Sequence, residues 1–88
     1  MAKEQTPKKS EGFEEDPMNI EFLLVTYSEN RTVLADGDMV GVTNHILMLP
    51  ANEYTISLEG GGTNPASQDV ILAGTSAVRP KVVQFANS

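Results

Sequence analysis

Residues 32–58, TVLADGDMVGVTNHILMLPANEYTISL, constrain the fold more than any other part of the chain. Short apolar runs alternate there with Asp-Gly, Gly-Val-Thr-Asn and Pro-Ala-Asn, which are combinations typical of turns. Asp-Gly between two apolar runs is a strong signal for a β-hairpin, because Gly tolerates the positive φ angles of a tight turn. The segment therefore predicts consecutive short strands joined by tight turns.

The flanking sequence continues this pattern. Residues 20–27 are rich in β-branched and aromatic side chains, and residues 69–72 and 81–85 form two further apolar runs, with a Gly-rich loop predicted at 60–67. Pro80 lacks an amide donor and favours an edge position or the entry of a strand. About six or seven short strands at this spacing predict a small antiparallel β-sandwich, Ig-like or prealbumin-like, with no helix longer than two turns.

The domain organisation follows from composition. Residues 1–17 are rich in Lys, Glu, Ser and Pro, with Phe13 as the sole sizeable apolar side chain, and they predict a disordered leader. Residues 18–88 then form a single β-sandwich domain. A domain of about 70 residues buries only some 60–65% of its unfolded surface. The chain has no cysteine to form a disulfide, so its stability is expected to depend on self-association or on contact with a larger neighbour.

The charge of the chain limits its partners. Six basic and twelve acidic residues give a net charge of −6, and the folded part offers only Arg31, Arg79 and Lys81 as cations. A phosphate backbone needs clustered Lys and Arg, so we expect no nucleic-acid partner. The expected partner is a protein. No apolar run approaches the ~20 residues of a membrane span. Without a signal peptide the expected compartment is the cytoplasm, or the envelope or extracellular space if the chain is an excised domain.

Few residues suggest chemistry. Asp36 and Asp38 flank Gly37 and are weak candidates for binding a hard cation, although a plain hairpin turn explains them better. His45 is the sole histidine and has no partner at an informative spacing. We therefore expect no enzyme, no catalytic residue and no cofactor. The alternative is a small ligand- or metal-binding β domain that uses Asp36, Asp38 and His45.

Three segments resemble the PEGA domain: residues 33–37 (VLADG), 41–43 (GVT) and 47–56 (LMLPANEYTI). In that family a strand ends in Asp-Gly, a Gly-x-Thr-Pro step follows, and a Leu-x-x-Gly-x-Tyr-x-Val hairpin leads on. The likeness covers about Tyr27 to Leu58, with residues 28–31 (SENR) in place of the Pro-Glu-Gly-Ala element that names the family and Asn44 in place of the usual Pro. Asn52 replaces the usual Gly, which is a mild change because Asn tolerates a left-handed turn position. The resemblance implies a small β-sandwich of bacterial envelope or surface proteins with a structural or interaction role, and it implies no catalytic residue.

Apolar residues occupy successive positions in residues 22–25 and 46–49. A small sandwich has one inner face per sheet, so part of this apolar surface is expected to point outward and to bind a protein. The candidate interaction residues are Leu23, Val25, Ile46, Met48 and Phe85. The sequence thus predicts a non-catalytic protein–protein interaction or assembly module, with a second copy of the chain as one possible partner.

Overall fold

The fold is built from strands and turns alone. The structure, a computed structural model, describes residues 19–88, and no helix occurs among them. The strands are β1 (Ile20–Thr26), β2 (Thr32–Ala35), β3 (Asp38–Val42), β4 (Ile46–Pro50), β5 (Asn52–Leu58), β6 (Thr63–Asn64), β7 (Ser67–Leu72), β8 (Lys81–Gln84) and β9 (Ala86–Asn87). The predicted all-β fold is confirmed, while the predicted leader at 1–17 lies outside the described residues.

Two main sheets form the sandwich. The first has the strand order β3-β2-β5-β7 and is antiparallel throughout. The second has the order β8-β1-β4, in which β4 runs antiparallel and β8 runs parallel to β1. The parallel pair departs from the expected antiparallel sandwich. Residues 73–80 cross from the end of β7 to the other sheet, so β8 begins at the same end as β1. A third, two-stranded ladder pairs β6 with β9.

The core fills the space between the two main sheets. Alternate residues of each strand point inward, and they come from both sheets. The buried apolar side chains are Leu23, Val25, Val33, Ala35, Leu47, Ile56, Leu58, Val70, Leu72, Val83 and Phe85. Strand β5 shows this alternation clearly, since Ile56 and Leu58 are buried and Tyr54 packs against the same cluster.

The β2–β3 hairpin turns at the predicted Asp-Gly. Asp36 and Gly37 have φ angles of +52° and +87°, as a two-residue hairpin turn with two left-handed positions requires. Asp36 also ties the turn to β5, because its Oδ1 accepts a hydrogen bond from the backbone nitrogen of Thr55 at 2.8 Å. One residue is extra on β3: Leu34 pairs with Met39 and Val33 with Gly41, which leaves a β-bulge between them.

Candidate interaction surface

The three-stranded sheet has an outer face whose side chains carry no charge. On β1 the inward positions are Glu21, Leu23 and Val25, which are all buried. The positions that alternate with them, and their cross-strand partners on β4 and β8, face outward. We call this outer face the apolar face; it consists of Ile20, Phe22, Leu24, Thr26, Ile46, Met48, Pro50, Val82 and Gln84.

Cross-strand pairing makes the apolar face continuous. Phe22 lies opposite Met48, and Leu24 lies between Ile46 on one side and Val82 on the other. The exposed fractions are 67% for Met48, 56% for Val82 and 46% for Ile46. The exposed apolar area is on the order of 400 Å², which is the size of the patches of about 300–600 Å² that often have a function in monomeric proteins.

The outer face of the four-stranded sheet has a different character. Thr55 and Asp69 lie opposite each other on β5 and β7, and the Thr55 hydroxyl donates a hydrogen bond to Asp69 Oδ1 at 2.8 Å. The exposed Ile71 lies opposite Glu53. Carboxylates are therefore interspersed with the apolar groups of this face, and a second copy laid against it would meet like charges.

The structure divides the predicted interaction residues into two groups. Ile46 and Met48 lie on the apolar face, as expected for a contact surface. Leu23, Val25 and Phe85 are corrected, because their exposed fractions are 0%, 0% and 3% and they belong to the core. Strand alternation sends the first two inward. The last follows β8 at the inward position, and its backbone nitrogen donates to Thr26 O at 3.0 Å.

The sequence did not identify the other seven residues of the apolar face, and four of these are large apolar side chains: Ile20, Phe22 and Leu24 on β1, and Val82 on β8. The available signal was the period of two within each strand, which separates these positions from their buried neighbours. On β1 that signal was misleading, because the inward set contains the carboxylate of Glu21.

The structure does not bring together the residues proposed as a ligand or metal site. Asp36 and Asp38 lie at the start of β3, whereas His45 comes after its far end, and the four steps from Asp38 to Val42 span about 13 Å. Asp36 has a structural role in the hairpin turn, and its charge adds to burial in raising the pKa of Tyr54. Within residues 19–88 there is no group of three or more acidic, histidine or cysteine side chains placed to hold a metal ion, and no cavity.

The turn that precedes His45 is held by its neighbour Asn44. Asn44 has a φ angle of +69°, a left-handed conformation that Asn tolerates better than most residues. Its side-chain amide spans Tyr27, donating to the carbonyl oxygen at 3.1 Å and accepting from the nitrogen at 3.2 Å. The polar groups at this end of the sandwich therefore close a turn, and His45 itself is exposed.

Comparison with known proteins adds no relative. No protein family, no curated protein and no solved structure matches the chain. Among residues 19–88 there is also no helix with the length and apolar character that a membrane crossing needs.

Proposed function

We propose that this chain is a structural module that works by protein–protein contact, and that it self-associates through the apolar face of the three-stranded sheet. The observation that supports this function is the contrast between the two sheets. One outer face has nine uncharged positions, among them the exposed Met48, Val82 and Ile46, while the other carries Glu53 and Asp69 among its exposed apolar side chains. A solvated surface gains nothing from a charge-free face of this size, whereas a binding surface does.

The distribution of charge supports a second copy as the partner. The chain has a net charge of −6, so two copies repel each other over most approaches. The apolar face is self-complementary, because a two-fold axis would place apolar side chains against the same side chains without opposing any carboxylates. Copies can therefore associate through this face at the smallest electrostatic cost.

Size and sequence pattern support the same function. A domain of about 70 residues without disulfides gains stability when it buries additional apolar surface between copies. The resemblance of about residues 27–58 to the PEGA domain implies a structural or interaction role as well.

The test is the solution mass, measured by size-exclusion chromatography with light scattering over a range of protein concentrations. The expected mass is above the 9.5 kDa of a single chain. Val82→Glu should lower it, because an interface that buries an unpaired carboxylate loses at least ~2 kcal/mol, or roughly 30-fold in affinity.

Val78→Glu is the matched control. Val78 is 87% exposed and lies in the 73–80 segment, outside the three strands that form the apolar face. This variant adds the same charge and should have the same solution mass as the wild-type protein. A wild-type monomer at every concentration, or equal masses for Val82→Glu and wild type, would show that the apolar face does not mediate self-association.

A further inference from the structure

Strand β4 is an open edge of the three-stranded sheet, and its hydrogen-bonding direction can be read from the register. Leu47 pairs with Leu23 and Leu49 with Glu21, and Ala51 extends this ladder by donating to Asn19 O at 3.0 Å. In an antiparallel ladder, successive residues bond alternately to opposite sides. The backbone groups of Leu47 and Leu49 therefore face β1.

The intervening residues face away from the sheet. Ile46 and Met48 each present an N–H and a C=O at the edge, and within residues 19–88 no strand pairs with that side of β4. Pro50 ends the open stretch, because it has no N–H and its carbonyl oxygen accepts the hydroxyl of Tyr54 at 2.6 Å. The free edge therefore offers two N–H donors and two C=O acceptors.

The other edges of the two main sheets are blunted. Strand β3 contains the bulge that follows the Val33–Gly41 pair. Strand β8 begins after Pro80 and starts with Lys81. The edge of β7 lies beside β8, and Gln68 there donates its side-chain amide to Gln84 O at 2.7 Å. Bulges, prolines and charges are the devices that keep sheet edges from pairing with other chains, and the sequence Ile-Leu-Met-Leu of β4 contains none of them.

The buried area that a stable interface requires also favours pairing through this edge. Two apolar faces stacked on each other would bury about 800 Å² in total, below the 1,200 Å² or so of a specific, stable interface. If two copies first join edge to edge, their apolar faces become one surface of twice the size. Stacking two such pairs would then bury about 1,600 Å², the standard size of a stable interface.

We propose that two copies pair antiparallel through β4, about a two-fold axis at Leu47, with Ile46 of one copy opposite Met48 of the other. The result is a continuous six-stranded sheet with four hydrogen bonds across the seam. Two such sheets stack by their apolar faces into a four-copy assembly. This inference rests on the proposed function and specifies its geometry.

The register follows from the free backbone groups. With the axis at Leu47, each Ile46 exchanges both hydrogen bonds with Met48 of the second copy, and all free donors and acceptors of the edge are used. An axis at Met48 would oppose Ile46 with Pro50, which cannot donate. The chosen register also places the side chains of Ile46 and Met48 on the same, apolar side of the enlarged sheet.

The first experiment measures the solution mass to distinguish pairing through the β4 edge from stacking through the apolar face. Met48→Pro removes the outward N–H and leaves the bonds to β1 intact, at an edge position of the kind where sheets accommodate proline. Met48→Ala is its control, since it shortens the same side chain and keeps the N–H. We expect four copies for the wild type and two for Val82→Glu, which keeps the edge pairing. Met48→Pro should be mainly a single copy, because the remaining stack of about 800 Å² is smaller than a stable interface. Met48→Ala should keep the N–H seam and therefore form larger assemblies than Met48→Pro.

A second experiment tests the register and remains decisive if Met48→Pro fails to fold. The chain has no cysteine, so Ile46→Cys and Met48→Cys introduce single thiols. Opposite Cα atoms in the proposed seam are about 5.5 Å apart, within disulfide range, whereas identical positions are diagonal neighbours more than about 7 Å apart. Mild oxidation should cross-link an equimolar mixture of the two variants and should leave each variant alone largely uncross-linked.

The outcomes distinguish the two proposals. An unchanged mass for Met48→Pro together with no preference for the mixed disulfide overturns the edge pairing, while a reduced mass for Val82→Glu still supports the apolar face. A wild-type monomer with no mixed disulfide overturns both.

Discussion

The carboxylate of Glu21 is buried and binds Thr75, a residue 54 positions further along the chain. Glu21 Oε1 accepts hydrogen bonds from the Thr75 backbone nitrogen at 2.8 Å and from the Thr75 hydroxyl at 2.5 Å. The same hydroxyl accepts a hydrogen bond from the backbone nitrogen of Phe22 at 2.7 Å. This network fixes the 73–80 segment to the start of β1, and so it sets where β8 enters the sheet beside β1.

This network predicts a pH-dependent contribution to stability. The hydrogen bonds from the side chain and backbone of Thr75 outweigh the effect of burial and hold the pKa of Glu21 below its ordinary value of 4.5. Because the pKa of Glu21 is lower in the folded state than in the unfolded state, its ionised carboxylate stabilises the fold when the pH is above the unfolded-state pKa. This stabilisation is lost as the pH falls through the folded-state pKa. Glu21→Gln should therefore unfold at a lower urea concentration than the wild type at pH 7, with the difference shrinking toward pH 3.

The control for that prediction is Glu53→Gln. Glu53 is an exposed carboxylate on β5, on the outer face of the four-stranded sheet. Its substitution should leave the urea midpoint close to that of the wild type at pH 7. A Glu21→Gln variant whose loss of stability is the same at pH 7 and pH 3 would contradict a role for the ionised carboxylate.

Glutamate substitutions at Leu23 and Met48 should have opposite consequences. Leu23 is fully buried, so Leu23→Glu places a charge in the core and should lower the free energy of unfolding by more than about 4 kcal/mol, most of the stability of a small domain. Met48→Glu introduces the charge on the apolar face and should retain the β-sheet circular dichroism spectrum while lowering the solution mass. If Leu23→Glu stays folded, or Met48→Glu unfolds, the assignment of inner and outer faces on β1 and β4 is wrong.

The sequence predicted the strands well and the faces of β1 poorly. Asp36-Gly37 identified the hairpin because its turn chemistry is local. The faces of β1 depend on Glu21, whose inward position is made possible by Thr75, far away in the sequence. A rule that points polar residues outward assigns Glu21 to the surface together with Leu23 and Val25, which are the two predicted interaction residues of β1 that the structure places in the core.

Other differences also come from long-range contacts. Residues 60–67 read as a Gly-rich loop, yet β6 lies within them and pairs with β9 at the C-terminal end of the chain. Asn44, which replaces the Pro of the PEGA-like pattern, has a left-handed conformation, whereas Asn52 begins strand β5. Local propensity does not reveal which Asn bends the chain, because Asn44 is held there by its hydrogen bonds to Tyr27.

Thr43 should be essential for stability because of its hydroxyl group. The side chain is fully buried; Oγ1 donates to Glu29 O at 2.7 Å and accepts from the nitrogen of Arg31 at 2.8 Å. Thr43→Val keeps the shape but leaves the Arg31 nitrogen without an acceptor and Glu29 O with only the long bond from Asn44 Nδ2 at 3.4 Å, which should cost about 1–3 kcal/mol in urea unfolding. Thr43→Ser keeps the hydroxyl and should lose less than half as much. Equal losses for the two variants would mean that packing of the methyl group, and not the hydrogen bonds, is responsible.

Gly41 and Leu47 should be coupled, because Gly41 leaves room on β3 for the Leu47 side chain on β4. A Cβ atom at position 41 would overlap Leu47 Cδ2 and would come within 3.3 Å of Cγ. Gly41→Ala should therefore cost about 1–3 kcal/mol by overpacking. Leu47→Val removes the overlapping atoms, so Gly41→Ala should be clearly less costly in the Leu47→Val background, with a coupling of at least ~0.5 kcal/mol in a double-mutant cycle. Additive effects would show instead that the requirement for Gly41 comes from the backbone of the bulged strand.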